Sequence, residues 1–290
     1  MLLLIGSIIL TSYLTLAFKI TGRFKINTFQ AIVFNYLSCV ITGSLFNGHF
    51  PVTAANIQQP WFPWSMLMGG MFIVIFNIVG FTTQRLGVAV ASVANKLSLV
   101  IPFIFSIYLY NESATALKAL GIVVALVAVY LTVKPAKQNG HQQDKKWLLV
   151  LPVLLFAGSG LLDTLIKYTE QRFLNANNSN DFLISAFASA AVIGLSILAA
   201  GIVSRRLQFD YRAVIAGIAI GVPNYFSIWC LVMALKNYPG NSSALIPINN
   251  MGIVLFSAVA AWILFRERLS VYNWAGILLS IAAIALIAFG

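Results

Sequence analysis

The chain has 290 residues, of which 60% are hydrophobic and only 9% are charged. A soluble domain carries about 25% charged residues, so this composition excludes a soluble globular protein and indicates an integral membrane protein. The net charge of +11 does not indicate a nucleic-acid-binding protein, because the basic residues sit in short loops, where they set membrane topology.

Hydropathy rises in about ten apolar stretches of roughly 20 residues each, the length of a helix that spans the hydrocarbon core of a bilayer. The stretches lack the strict alternation of an outer-membrane barrel. The predicted fold class is therefore all-α integral membrane, with about ten transmembrane helices. The predicted spans are Leu2–Phe18, Phe29–Phe46, Trp64–Phe81, Val88–Tyr110, Ala114–Val133, Trp147–Tyr168, Phe182–Val203, Ala213–Leu235, Ser243–Phe265 and Val271–Phe289.

The two halves of the chain carry related motifs. Glu112 lies nine residues before Gly121 in the fifth span. Glu267 lies nine residues before Gly276 in the tenth span, so both pairs share an offset of 155 residues. A duplicated unit with an odd number of crossings must be inverted in the membrane, which predicts a 5+5 inverted repeat. The predicted domains are a first five-helix repeat at 1–133, a basic cytoplasmic linker at 134–146 and a second five-helix repeat at 147–290.

These features resemble the drug/metabolite transporter superfamily, specifically its ten-helix EamA-like permeases. The blocks around Glu112 and Glu267 carry the resemblance. So do Lys19 and Lys167, which close the first helix of each half. The resemblance covers the whole chain and implies a secondary transporter of small metabolites, with a cavity between two five-helix bundles. It implies no particular substrate, since the family handles amino acids, sugars, nucleotide derivatives and drugs.

Loop charges predict the orientation in the membrane. Lysine and arginine are concentrated in the odd-numbered loops, and the second loop, 47–63, contains neither. The positive-inside rule then places the odd loops in the cytoplasm and both termini outside. We expect a multi-pass protein of the cell (inner or plasma) membrane, with the lipid bilayer as its surroundings.

Lys96 lies inside the fourth apolar run, next to Asn95 and six residues before Pro102. A lysine at that depth costs roughly 2.5–3.5 kcal/mol on insertion scales, and a proline frees a backbone carbonyl one turn back. We expect Lys96 to bind an anionic or zwitterionic substrate, with Asn249 and Asn250 near the repeat-related position. The alternatives are a lysine that snorkels to the surface or pairs with an internal acid, and asparagines that only join helices.

The eighth span contains Pro223, which we expect to interrupt the helix and expose carbonyl groups. Asn224, Tyr225 and Trp229 would then line the cavity. Asn77, in the third span, occupies the loosely matching place in the other half. A kink that serves only helix packing explains the same proline.

Asp163 is the only acid well inside a span, and Lys167 follows it by one helical turn. We expect an intrahelical ion pair near the membrane surface. The functional alternative is a protonatable carboxylate that couples transport to a proton gradient.

Glu112 and Glu267 close the fourth and ninth spans. We expect structural roles for both. Each would form ion pairs with neighbours such as Arg266 and Arg268, or lie at the N-terminus of the next helix.

Small residues recur on one face of the fifth and tenth spans. Such faces are typical of close helix packing. A homodimer formed through these faces is the alternative. The residues are Gly121, Ala125, Ala128, Gly276, Ser280 and Ala283.

No motif indicates an enzyme, a cofactor or a metal, since phosphate-binding loops, paired histidines and nucleophile elbows are all missing from the sequence. We predict a secondary transporter that moves a small polar metabolite by alternating access around Lys96. One alternative is a proton-linked exporter of neutral or cationic compounds that uses Asp163. The other is a non-transporting membrane protein in which Lys96 is a structural ion.

Overall fold

The computed structural model describes residues 2–110, 115–133, 146–175, 177–237, 242–267 and 269–289. Within these ranges all regular structure is helical, as the composition predicts. The α-helices are α1 (Leu2–Arg23), α2 (Thr28–Asn47), α3 (Ala54–Ile57), α4 (Phe62–Leu86), α5 (Val88–Leu97), α6 (Val100–Tyr110), α7 (Ala116–Val133), α8 (Val150–Phe173), α9 (Ser179–Val203), α10 (Tyr211–Asn237), α11 (Ser242–Phe265) and α12 (Val271–Phe289).

Eight segments of the described chain are long and apolar enough to cross a membrane. They comprise α1, α2, α4, α8, α9, α10 and α11, together with the run Val88–Phe105 that α5 and α6 share. Of the other three helices, α3 has 4 residues, and α7 and α12 contain apolar stretches that are slightly shorter. This architecture is consistent with an all-α, multi-pass membrane protein.

Pro223 does not interrupt its helix, contrary to the expectation from the sequence. The helix α10 runs from Tyr211 to Asn237 with Pro223 inside it. A proline removes one N–H donor but leaves the hydrogen bonds of the neighbouring turns, so a long packed helix continues through it. Nearby, the Gly221 carbonyl oxygen accepts a hydrogen bond from the Cys39 thiol, with a sulfur–oxygen distance of 3.3 Å.

The described helices form two compact units, and each unit draws on both halves of the chain. In the first unit α7 packs along α12, and α5 packs against α11. In the second unit α2 packs against α9. The compact units therefore do not follow the predicted repeat boundaries. The first unit comprises Met1–Lys19, Ile78–Leu161 and Phe226–Gly290, and the second comprises Ile20–Asn77 and Leu162–Tyr225.

Small side chains bring α7 and α12 together in the first unit. A Cβ atom added to Gly276 would lie 2.7 Å from the Thr132 backbone nitrogen and 2.9 Å from the Ala128 carbonyl oxygen. Asn273 donates a hydrogen bond to the Thr132 carbonyl oxygen at 2.7 Å. The small-residue faces are thus covered within one chain, and their buried members do not offer a surface to a second copy. Those members are Ala125, Ala128, Ser280 and Ala283.

Gly69 sets the approach of α4 to α9 in the second unit. A Cβ atom added to Gly69 would lie 2.5 Å from the Ser189 Cβ atom and 2.6 Å from the Ala186 carbonyl oxygen. Gly70 differs, because an added Cβ atom would have one neighbour within 4 Å, at 3.9 Å. Gly69 therefore lies in close contact with α9, whereas the adjacent Gly70 has room for a methyl group.

We expect Gly69→Ala to lower the melting temperature of the detergent-purified protein by several degrees, since overpacking a close contact costs about 1–3 kcal/mol. Gly70→Ala is the matched control. It adds the same methyl group in open space and should leave the melting temperature unchanged or slightly higher. Equal melting temperatures for the two variants would contradict this packing of α4 on α9.

Candidate functional site

The fourth apolar run folds as two short helices, with Ser98 and Leu99 at the break between them. Lys96 lies in the last turn of α5, where the negative end of the helix dipole favours a positive charge. The Ser98 hydroxyl donates to the Asn95 carbonyl oxygen at 2.5 Å. The Ser98 carbonyl oxygen accepts from the Ile101 N–H at 2.9 Å. These bonds close a tight turn directly after the lysine.

Pro102 favours a break at this point in the chain. It is the third residue of α6, inside the first turn, where a missing N–H costs little. One continuous helix would place Pro102 in the helix interior, at a cost of about 3 kcal/mol. Starting a new helix at Val100 avoids that cost.

The predicted lysine and amides lie on two helices that pack against each other. Asn95 and Lys96 are both half-buried at the end of α5. Asn249 and Asn250 precede Val254 of α11 by about one turn, and Val254 belongs to the buried core where α5 and α11 meet. The first unit therefore contains all four of these predicted polar groups.

Asn249 lacks a partner for its amide oxygen. The residue is only 3% exposed, and its Oδ1 atom accepts no hydrogen bond from the described part of the chain. A buried acceptor without a donor costs about 1–3 kcal/mol. The first unit thus contains a lysine on α5 and, on α11, an acceptor that has no donor among the described residues.

Asn224 and Tyr225 are buried in the second unit, next to a residue that the sequence reasoning missed. Asn224 donates from Nδ2 to the Oδ1 atom of Asn35 at 3.2 Å, and the Tyr225 ring packs edge-on against Phe46 with centroids 6.2 Å apart. The Nδ2 atom of the fully buried Asn35 has no acceptor among the described residues. An asparagine inside an apolar span, the same type of signal as Asn95, would have identified it.

The other two predicted cavity residues, Trp229 and Asn77, each contact a neighbour on their own helix. Trp229 is half-buried in the first unit and packs edge-on against Phe226, with ring centroids 6.3 Å apart. Asn77 donates to the Ile73 carbonyl oxygen of its own helix at 2.7 Å. That hydrogen bond satisfies one of the two Asn77 N–H donors within its own helix.

Asp163 and Lys167 lie one turn apart on α8, in the second unit. Asp163 is exposed and Lys167 is half-buried. The ion pair predicted between them stays a prediction. Glu112 and Arg268 lie outside the described residues.

Glu267 joins three segments of the first unit. Its carboxylate forms an ion pair with Lys19, with Oε1 and Nζ 3.0 Å apart, and accepts the Val88 N–H at 3.2 Å. The Glu267 and Lys19 side chains are 11% and 27% exposed, so solvent screens this pair only partly. Gly87 permits the approach, because its φ is +105° and an added Cβ atom would lie 2.9 Å from Oε2.

Glu267 therefore caps α5. One sequence-based prediction places it instead at the N-terminus of the next helix in the chain, α12. The N-terminus of α12 already has its own cap. The Ser270 N–H donates to Asn273 Oδ1 at 2.8 Å, and the Asn273 N–H donates to the Ser270 hydroxyl at 3.2 Å. Among the described residues, Glu267 forms its ion pair with Lys19, far away in the sequence, and not with Arg266.

Comparison with known proteins supports the fold and leaves the activity open. No family model matches the chain. It is 25% identical over 286 residues to an uncharacterized protein of Haemophilus influenzae, across 97% of this chain and 95% of that protein. It matches a solved structure, described as "Crystal structure of protein", with a TM-score of 0.64 over 99% of this chain and 96% of the other, at 16% identity.

We expect Glu267→Ala to destabilise the protein more than Lys19→Ala. The lysine variant loses one charged hydrogen bond, worth about 1.5–3 kcal/mol. The glutamate variant also loses the cap of α5, worth about a further 0.5–2 kcal/mol. Thermal unfolding in detergent measures both effects.

Arg266→Gly is the control, because it removes a neighbouring charge. Its φ is 52°, a conformation that glycine adopts without strain. A larger effect for Arg266→Gly than for Lys19→Ala would contradict the assigned pair.

Proposed function

We propose that this protein is a secondary transporter of a small polar metabolite, anionic or zwitterionic, that works by alternating access around Lys96. The observation that carries the proposal is the broken fourth span, with Lys96 in the last turn before the break. Discontinuous helices of this kind form the substrate and ion sites of many inverted-repeat transporters. Irregular backbone at membrane depth is tolerated only inside protein or beside a water-filled cavity.

The chemistry of the first unit supports the substrate class. Lys96 provides an ammonium donor for a carboxylate or phosphate, and a charge-assisted hydrogen bond is about twice as strong as a neutral one. The Asn249 oxygen, which has no donor among the described residues, could accept from an ammonium or amide of the same ligand. The half-buried amides of Asn95 and Asn250 add further polar contacts.

We also propose that the chain is a 5+5 inverted repeat of the EamA-like type. Three helix pairs support this assignment, because α2 packs on α9, α5 on α11 and α7 on α12. Numbered as spans, these are the second and seventh, the fourth and ninth, and the fifth and tenth. A two-fold relation between the repeats would pair each helix with its counterpart in this way. On this proposal the protein lies in the cell (inner or plasma) membrane. The odd loops face the cytoplasm, and both termini lie on the outer side.

A second candidate function is a proton-linked exporter of neutral or cationic compounds that uses Asp163. One observation favours it, namely that Asp163 is exposed in the middle of the apolar helix α8. A carboxylate facing lipid at that depth would cost about 2.5–3.5 kcal/mol, so this mechanism places Asp163 at a path that water reaches. There its carboxyl group could gain and lose the transported proton.

The first test screens amino acids, dicarboxylates and sugar phosphates for a rise in the melting temperature of the detergent-purified protein. We expect a zwitterionic or anionic compound to stabilise the parent and not Lys96→Ala, since only a ligand that binds the folded state raises its stability. In proteoliposomes, uptake of that compound should fall at least about tenfold in Lys96→Ala, because a lost charged hydrogen bond is worth about 1.5–3 kcal/mol.

Arg85→Ala is the matched control for this test, because it removes an exposed cation at the end of α4. It should transport like the parent. Equal stabilisation of the parent and Lys96→Ala would overturn the role of Lys96. If no compound stabilises the parent and none is taken up, the non-transporting alternative is favoured.

Asp163→Asn separates the two transport mechanisms. If the proton-linked hypothesis is correct, a pH gradient should no longer drive uptake of an organic cation by this variant. Glu170→Gln is the control, since Glu170 is another exposed acid of α8, nearer to its end. If Asp163→Asn leaves uptake of an acidic or zwitterionic substrate unchanged, the Lys96 mechanism stands without this carboxylate.

A further inference from the structure

The α9–α10 loop of the second unit is hydrogen-bonded to the α1–α2 loop and to the first turn of α2, across about 180 residues of sequence. Gln30 donates from Nε2 to the Gln208 carbonyl oxygen at 2.6 Å and accepts the Asp210 N–H at 2.9 Å. The Asn27 N–H donates to the Asp210 carboxylate at 3.2 Å. These bonds make one continuous surface, here termed the paired-loop surface. It consists of residues 23–27 and 204–212.

Five exposed basic side chains and one acid occupy the paired-loop surface. The acid, Asp210, accepts a hydrogen bond from Arg212 Nε at 3.1 Å. The Arg212 guanidinium holds the pKa of this carboxyl below its ordinary value, so the carboxylate stays ionised and is committed to Arg212 and the Asn27 N–H. The other four basic residues have no acidic partner among the residues that the structure describes. They are Arg23, Lys25, Arg205 and Arg206.

Lys25 and Arg205 both adopt the left-handed backbone conformation, with φ of 54° and 55°. Each follows a helix end, and in both loops the next N–H donates to a carbonyl five residues back at 2.9 Å. Glycine is the usual residue at this position, because the left-handed conformation costs other residues about 1–2 kcal/mol. A basic residue can set membrane topology from any position in a loop. Topology alone therefore does not explain why both left-handed positions hold a basic residue.

Three exposed aromatic rings accompany the charges. Phe24, Phe209 and Tyr211 are 63%, 56% and 69% exposed. Phe209 is braced edge-on by Phe34, with ring centroids 6.1 Å apart. Aromatic rings beside basic residues at the ends of apolar helices are typical of the membrane–water interface, where lipid phosphates lie.

We propose that the paired-loop surface binds the phosphate groups of anionic phospholipids. Its arginine and lysine side chains offer donors that match phosphate oxygens, and its aromatic rings match the less polar region beneath the headgroups. Clusters of four or more basic residues beside transmembrane helices recognise anionic lipids through this chemistry. The proposal does not depend on the transported substrate.

The test titrates phosphatidylglycerol into the detergent-purified full chain and counts bound lipids by native mass spectrometry, with phosphatidylcholine in parallel. The key variant is the double substitution Lys25→Gly and Arg205→Gly, because glycine fits both left-handed positions and the fold is kept. We expect the affinity for phosphatidylglycerol to fall about 30-fold, given the worth of each basic residue near an anionic surface. Arg266→Gly is the matched control, since Arg266 is a basic residue of the first unit with φ of 52° and should leave the affinity unchanged.

Three outcomes would overturn the proposal. In the first, the double variant would bind phosphatidylglycerol as tightly as the parent does. In the second, the parent would bind phosphatidylcholine equally well. In the third, inorganic phosphate at millimolar concentration would displace the lipid and identify a soluble ligand. The melting temperature in phosphatidylcholine micelles reports whether the double variant is folded. If it is not, the double substitution Arg23→Gln and Arg206→Gln leaves both left-handed residues in place and should weaken binding by a similar factor. Unchanged binding in that variant would also overturn the proposal.

Discussion

Backbone and side-chain polar groups inside a membrane must find partners within the protein, because the bilayer core supplies no hydrogen bonds. Most of the described polar clusters follow this constraint and join segments that are distant in the chain. Glu267 satisfies Lys19 and the first N–H of α5 together. In the second unit Asp181 accepts hydrogen bonds from Asn47 at 3.0 Å and Asn56 at 3.1 Å. A single carboxylate therefore links several segments where an apolar contact would join only two.

The exceptions to that constraint are informative for the same reason. Asn77 is not an exception, because it donates a hydrogen bond to a carbonyl of its own helix. The buried oxygen of Asn249 and the buried Nδ2 of Asn35 have no such partner among the described residues. Unsatisfied buried groups cost free energy, so each one calls for an explanation, such as a bound water, a ligand or a second conformation. The Asn249 oxygen lies on the helix that packs against the one ending in Lys96, which is why the proposed substrate site is built there.

Local sequence signals predicted the helices, and contacts over long sequence distances were not predicted. Apolar runs of sufficient length gave the helical spans, and the small residues of α7 and α12 gave their close packing. The partner of Glu267 was missed because Lys19 lies at the other end of the chain. The two prolines show the limit most clearly. Pro102 lies at a helix start and Pro223 inside a continuous helix, yet the local sequence around each favours an interruption. Packing of the whole helix decides between these outcomes, and the residues beside a proline do not encode it.

The left-handed backbone conformation occurs at three residues that follow helix ends, and its role differs between them. Lys25, Arg205 and Arg266 are the non-glycine residues of the described chain with positive φ, and all three are basic residues that follow a helix end. The helix dipole favours cations there but does not require the left-handed conformation, since a basic residue one position earlier would meet the dipole without strain. At Arg266 the conformation turns the chain so that the next residue, Glu267, reaches α5. At Lys25 and Arg205 the following side chains make no comparable ion pair with described residues, and the proposed contact with lipid phosphates accounts for a charge at each strained position.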